Sequence, residues 1–286
     1  MSVKSHIEWT MMTWNPVVGC SMISSGCAHC YAERMAARLK QIALANIAAG
    51  KNPGRNRYYI DAIDDDRRWS GKLIPVPEAL TDPFTWSRPQ LVFVNSMSDL
   101  FHETLPDLFV ADVVRVMAHS PWHNYQVLTK RADRLQGILS GKLSTLAERP
   151  NIWWGVSVEN RKQGLPRIAA LRDTPAAIRF LSIEPLLEDL GEVDLRGIHW
   201  VIVGGESGPG AREMSESWVL SIRDQCQAAG VPFFFKQWGG TRKSATGREL
   251  QGKFHDAYPS YRFSPSPPLS WRRQLAAEFG HADQAS

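Results

Sequence analysis

The sequence predicts an α/β protein built as a partial (βα)6 barrel, with an inserted loop region and a short C-terminal extension. Three observations carry that expectation. Short β-rich runs alternate with longer helical patterns along the 286 residues, which is the rhythm of βα units around a parallel sheet. Several of the runs are apolar without alternation, as in strands covered on both faces. Polar and ionisable residues recur directly after the runs, at the sheet edge where parallel α/β folds build their sites.

The elements follow in order. A first strand is expected over residues 14–20 (WNPVVGC) and a helix over 31–49. Further strands read at 91–96 (LVFVNS), 125–129 (YQVLT), 152–158 (IWWGVSV), 178–183 (IRFLSI), 200–204 (WVIVG) and 231–236 (VPFFFK). Helices fall between them at 106–119, 132–139, 164–172 and 215–229, the last opening at Ser215 and stopped by Gly230. Residues 50–89 are rich in proline, glycine and charge and read as an irregular insertion, a lid or substrate-facing loop. The barrel is expected to span 1–239, and the polar, proline-rich residues 240–286 to form a peripheral, partly disordered extension ending in a short helix.

Composition sets outer bounds. Four cysteines are too few for a disulfide scaffold, and Cys226, within a helical pattern, reads as a buried thiol with no partner. No stretch approaches the roughly twenty apolar residues of a membrane span, and the start MSVKSHIEW is not a signal peptide. A reducing cytoplasm fits best. The net charge of +4 and pI near 8.9 permit a polyanionic partner without requiring one.

The other three cysteines, Cys20, Cys27 and Cys30, stand together in GCSMISSGCAHCY, and no fourth joins them. Three thiolates hold three irons of a [4Fe–4S] cube and leave the fourth open to a small molecule, whereas a structural zinc site closes its shell with four ligands. A zinc knuckle completed by His29 or His102 is the alternative. After the strands, Asp99, Glu159, Glu184 and Glu206 read as the acceptors of one polar pocket, suited to a ribose diol or a cationic group. Gly204 and Gly205 open a glycine-rich turn fit for a phosphate or for close packing. Eleven tryptophans are many, and Trp153, Trp154 and Trp200 are expected in the core. Trp69 and Trp238, with Arg131, Arg134, Arg161 and Lys162, are candidates for an aromatic and basic rim that could stack bases. His102 and His123 read as hydrogen-bonded structural histidines.

Asn15-Pro16, Gly19-Cys20, Gly26-Cys27 and Cys30-Tyr31-Ala32 resemble the N-terminal signature of radical SAM enzymes related to spore photoproduct lyase. Downstream, Ser98-Asp99 with Glu103, then 125–131, 152–160, Arg167 and Glu184-Pro185 follow in the order of that clan's later strands, over roughly residues 7–235. More narrowly, the chain resembles an uncharacterised phage-associated three-cysteine-motif family, radical-SAM-like, through MSDLFH at 97–102, TKR at 129–131, VEN at 158–160, GGESGP at 204–209 and FFKQWGG at 234–240. The spacing departs from that of typical radical SAM enzymes, since six residues separate Cys20 from Cys27 instead of three.

The resemblance implies a TIM-like radical-SAM-type barrel with Cys20, Cys27 and Cys30 as ligands of a [4Fe–4S] cluster, and S-adenosylmethionine (SAM) as second cofactor. It implies Lys130 as the cation facing the SAM carboxylate and Ser157 as a hydroxyl contact, with Asp99, Glu159, Glu184, Gly204, Gly205 and Glu206 around the same ligand. An electron donor protein is the implied partner, and a nucleic acid or nucleotide the implied substrate. Two rivals stand beside this reading: a zinc-containing nucleic-acid-binding module, and an iron–sulfur scaffold that no longer cleaves SAM.

Overall fold

The computed structural model describes residues 5 and 7–280. Its strands are β1 Met12–Trp14, β2 Val17–Val18, β3 Ile74–Pro75, β4 Leu91–Val94, β5 Asn124–Thr129, β6 Ile152–Ser157, β7 Ile178–Ile183, β8 Trp200–Gly204 and β9 Phe233–Gln237. The longer helices are α1 Tyr31–Ala48, α2 Asp107–His119, α3 Ala132–Ser140, α4 Arg161–Arg172, α5 Glu216–Ala229 and α6 Leu269–Gly280. Seven strands form one curled half-barrel sheet in the order β1-β4-β5-β6-β7-β8-β9, with every pairing parallel. Crossovers that share one hand and always step the same way put their helices on one face. The opposite, concave face is therefore left for a site.

Period-two alternation sorts the side chains between these faces. Tyr125, Val127, Trp154, Val156, Val201 and Val203 turn outward into the main core against the helices. Trp153, Phe180, Trp200, Ile202 and Phe234 turn inward and, with Trp9, fill the floor of the concave side. Gly155 is required there, because a Cβ at this position would sit 2.4 Å from the Phe180 ring. The strongest helix contribution comes from α2, whose Val110, Val113, Val114, Val116 and Met117 are fully buried at about 1.5–3 kcal/mol each.

Three expectations are corrected. The sheet has the seven parallel strands that the seven runs predict, curled into a half-barrel, but its first strand is Met12–Trp14 instead of 14–20. Pro16 explains the shift: it has no N–H for a ladder, so Val17–Val18 peels off to pair antiparallel with Ile74–Pro75. Residues 50–89 are not a bare loop. Short helical turns at Gly54–Tyr58, Tyr59–Ala62, Pro77–Leu80 and Asp82–Thr85 build a second small core, in which Tyr59, Ala62, Ile63, Val76 and Ala79 pack on Ala36 and Ala37 of α1.

The third correction concerns the extension at 240–286, whose described part is integral to the fold. Leu250 and Leu275 belong to the main core, and Tyr258 stacks on Trp200 at 5.0 Å. Arg272 of α6 is buried and donates to the Phe84 and Trp86 carbonyls at 3.2 and 3.0 Å. Pattern reading misses this because the apolar residues of the segment are sparse and aperiodic. Residues 281–286 lie outside the described residues.

Candidate metal and ligand site

The cysteine loop leaves the β2 strand at Gly19, whose φ of +98° turns the chain back over the sheet edge. It contains one 3-10 turn, Ser25–Cys27, and then enters α1 with Cys30 as N-cap. Side chains from the strand ends hold it down. Arg131, after β5, donates to Ser21 Oγ at 2.9 Å, and Ser21 Oγ is 2.7 Å from His102 Nε2. Asn160, after β6, donates to Ser25 Oγ at 2.9 Å. Arg212, after β8, donates to the Ser25 carbonyl at 2.9 Å. Gly26 lies flat on Glu159, where a Cβ would stand 3.2 Å from the carboxyl carbon.

The three thiols share one electrostatic neighbourhood. Burial pushes the Cys20 thiol up to about 12; Asp99 adds to the shift, Arg131 opposes it, and Cys30 and Cys27 both add to it. Cys30 is raised by burial and further by Cys27, while backbone N–H groups of Glu33 and Ala32 and a side-chain hydrogen bond from Trp69 pull the other way. Among the described residues, however, no three His, Cys, Asp or Glu side chains are gathered closely enough to hold a metal ion. Cys226 is fully buried in α5, remote in role from the loop, and burial lifts its thiol to about 12.

The carboxylates at the strand ends divide into two groups. Three are consumed by the scaffold. Asp99 accepts from Phe101 N, Thr129 Oγ1, Lys130 N and Arg131 Nη1. Glu159 is 0% exposed and pairs with Arg167 at 2.6 Å, its Oε1 lacking a hydrogen bond. Glu206 is gripped by Arg212 at 2.6 and 3.0 Å; burial would raise its carboxyl, but these bonds hold it below the usual range. Glu184 is different. Its Oε2 accepts from Ser182 Oγ at 3.0 Å, its Oε1 lies 3.3 Å from Lys236 Nζ, and it lines a cavity of about 610 Å³ inside the half-barrel.

That cavity runs from Trp9 and Phe93 on the floor to Tyr31 and Ser207 at the mouth, and Arg55, Asn56, Tyr59 and Asp82 of the 50–89 region form one wall. Lys130, Ser157, Asp99, Glu159, Gly204, Gly205 and Glu206 are not among its lining residues, nor are the three cysteines. Lys130 is half-buried, with no side-chain hydrogen bond or ion pair among the described residues. Ser157 is buried at the end of β6, opposite Ser182. Gly204 lies against Glu184, where a Cβ would be 2.9 Å from Oε1, and Gly205 packs under the Trp238 carbonyl. The glycine-rich turn is thus used for close packing.

The basic rim is largely neutralised. Arg131 pairs with Asp99 and Glu103, pulling Glu103 down to about 2, and Arg134 pairs with Asp107. Arg161 donates to the Asp189 carbonyl, and Lys162 is exposed. His102 and His123 are both buried and hydrogen-bonded through both ring nitrogens. Sequence reasoning misses Ser182, Lys236 and Gln237 in the cavity. Alternation along β9 would send Lys236 and Gln237 to opposite faces, but the ladder slips there, with Val203 opposite Phe235 and Gly204 opposite Gln237. Such a bulge lets consecutive residues line one cavity.

Fold and site together define a parallel α/β half-barrel carrying a three-cysteine loop across the C-terminal edge of its sheet. A family model described as "Protein of unknown function (DUF5131)" matches residues 4–259, and the chain belongs to that family. No curated protein and no solved structure matches it. Among the described residues no helix is long and apolar enough to cross a membrane.

Proposed function

We propose that the protein is a radical SAM-type enzyme, its half-barrel being the partial (βα)6 type, with a [4Fe–4S] cluster on Cys20, Cys27 and Cys30 and SAM beside it. One observation carries the reading: the loop that bears Cys20, Cys27 and Cys30 is fastened over the ends of β5, β6 and β8 by Arg131, Asn160 and Arg212. A cluster there would supply the electron, delivered by an outside donor protein, that cleaves SAM to methionine and a 5′-deoxyadenosyl radical able to take hydrogen from a substrate.

The chain's own residues have separate tasks. Thiols bind iron as thiolates, and with Cys20 pushed up to about 12, loading releases protons and becomes more favourable as pH rises. The Trp69 hydrogen bond to Cys30 and the N-terminal amides of α1 favour the ionised sulfur. Arg131, Arg134 and Arg212 are each spent on a carboxylate; Lys130, the cation the family resemblance implies for the SAM carboxylate, has no such partner among the described residues, and Ser157 on the next strand is the implied hydroxyl contact. The half-barrel interior excludes water from the substrate, for which a nucleic acid or nucleotide remains the class the motifs favour.

The test is anaerobic reconstitution followed by iron and sulfide analysis, then chromatography for 5′-deoxyadenosine after reduction with dithionite. About four irons are expected, with 5′-deoxyadenosine formed from SAM, and Cys27→Ala should lose both. Zinc without iron would reject the reading in favour of a structural zinc module. A full cluster with no 5′-deoxyadenosine would reject it in favour of a scaffold.

A further inference from the structure

The cavity carries more chemistry than the cluster reading uses. Part of its lining is aromatic: Trp9 and Phe93 stand with ring centroids 4.7 Å apart, and Tyr59 and Tyr31 line it too. Another part is polar and built by the β9 bulge. There Lys236 and Gln237 lie beside Glu184, which Ser182 orients through a 3.0 Å hydrogen bond to Oε2. Gln237 is 6% exposed, its Nε2 donates to the Gly205 carbonyl at 3.4 Å, and its Oε1 has no hydrogen-bond partner. Glu184 Oε1 also lacks a hydrogen bond, although the Lys236 ammonium is 3.3 Å away. Buried acceptors without donors are costly, and here two belong to residues that line one cavity.

We propose that this cavity is a nucleobase site of the guanine type, with the ring against Trp9 and Phe93 and its edge read by Glu184, Gln237 and Lys236. Two acceptors and one donor on the protein call for two N–H donors and one carbonyl oxygen on a flat ring. Guanine offers O6, N1–H and the exocyclic amine in that order along one edge, while adenine's edge places a bare ring nitrogen where a donor is needed. Stacking supplies the sequence-independent part of the affinity. A phosphate finds little support, because the Arg55 guanidinium on the cavity wall is already held by Asp82 at 2.6 and 2.9 Å. The preferred form is therefore the base or nucleoside, or a base turned out of a strand.

The inference deepens the nucleotide-substrate reading and rests on it only for the site's place in a reaction; binding requires neither iron nor SAM. Guanosine, inosine and adenosine are titrated into the full-length protein, purified in air without cluster, with intrinsic tryptophan fluorescence and equilibrium dialysis as readouts. Guanosine should bind, inosine, which lacks the exocyclic amine, roughly 10- to 100-fold more weakly, and adenosine no better than inosine. Glu184→Gln should cost guanosine at least about tenfold and erase its advantage over inosine. Lys236→Met, which keeps the stem, should weaken guanosine and inosine equally through loss of the O6 contact. Adenosine binding as tightly as guanosine, or no nucleoside binding to the wild type, would overturn the proposal. Iron loading with 5′-deoxyadenosine formation but no guanosine binding would sink this inference alone. Guanosine selectivity in a protein that never holds iron would sink the cluster reading alone.

Discussion

At the scale of single residues, the site is shaped as much by missing side chains as by present ones. A Cβ at Gly205 would fall 1.9 Å from the Trp238 carbonyl oxygen, a backbone atom with nowhere to go. Gly137, exposed inside α3, has nothing within 4 Å of its own notional Cβ. Gly205→Ala is therefore expected to lose at least about 2 kcal/mol in a denaturant titration, while Gly137→Ala gains about 0.5–1 kcal/mol from helix propensity. Equal effects from the two would show that the β8–β9 loops do not pack as described. Asp99 teaches a related lesson. From sequence it reads as a ligand acceptor, yet four protein donors fill its oxygens. Residue type and position at a strand end identify such a carboxylate; only geometry tells whether its lone pairs are spent.

At the scale of elements, the strand runs and helices were legible because their signals are local. Apolar runs of β-branched and aromatic residues mark the strands, and Gly230, in the left-handed region at φ +65°, ends α5 where the sequence predicts. What escaped reading depends on partners far away in sequence: the split of the first strand at Pro16, the bulge at Lys236, and the docking of the 240–280 segment. The cysteine loop is the extreme case, since Arg131, Asn160 and Arg212 are 110, 135 and 187 residues from the serines they hold. Without a buried apolar cluster of its own, the loop's order should depend on those bonds. Arg212→Met removes both the Ser25 contact and the Glu206 pair. At about 1.5–3 kcal/mol for such charged bonds, amide exchange across residues 20–30 should quicken roughly 10- to 100-fold. Arg196→Met, which breaks an exposed pair with Asp194, should leave it unchanged. Unaltered protection in the Arg212 variant would remove the clamp from the account.

At the scale of the whole molecule, one buried histidine sits where the 50–89 region meets α6. His123 is 0% exposed; its Nδ1 accepts from Gln90 N at 3.0 Å and its Nε2 donates to the Pro83 carbonyl at 3.0 Å. That assignment fixes a neutral ring. Burial holds its pKa down to about 4; the Pro83 carbonyl opposes the shift, and Arg272, reaching in from α6 to the Phe84 and Trp86 carbonyls, reinforces it. In the unfolded chain the same ring titrates near its ordinary value of about 6.5. Between those values the unfolded chain binds a proton that the native state refuses, so stability is full above pH of about 6.5 and falls as pH drops toward 4. The largest loss this one group can impose is about 3 kcal/mol. His123→Gln keeps an acceptor and a donor but cannot titrate. Urea titrations of both proteins from pH 7.5 to 4 should therefore give curves that diverge, the wild type losing about 3 kcal/mol more than the variant across that window. Parallel curves would mean that His123 is already charged in the fold.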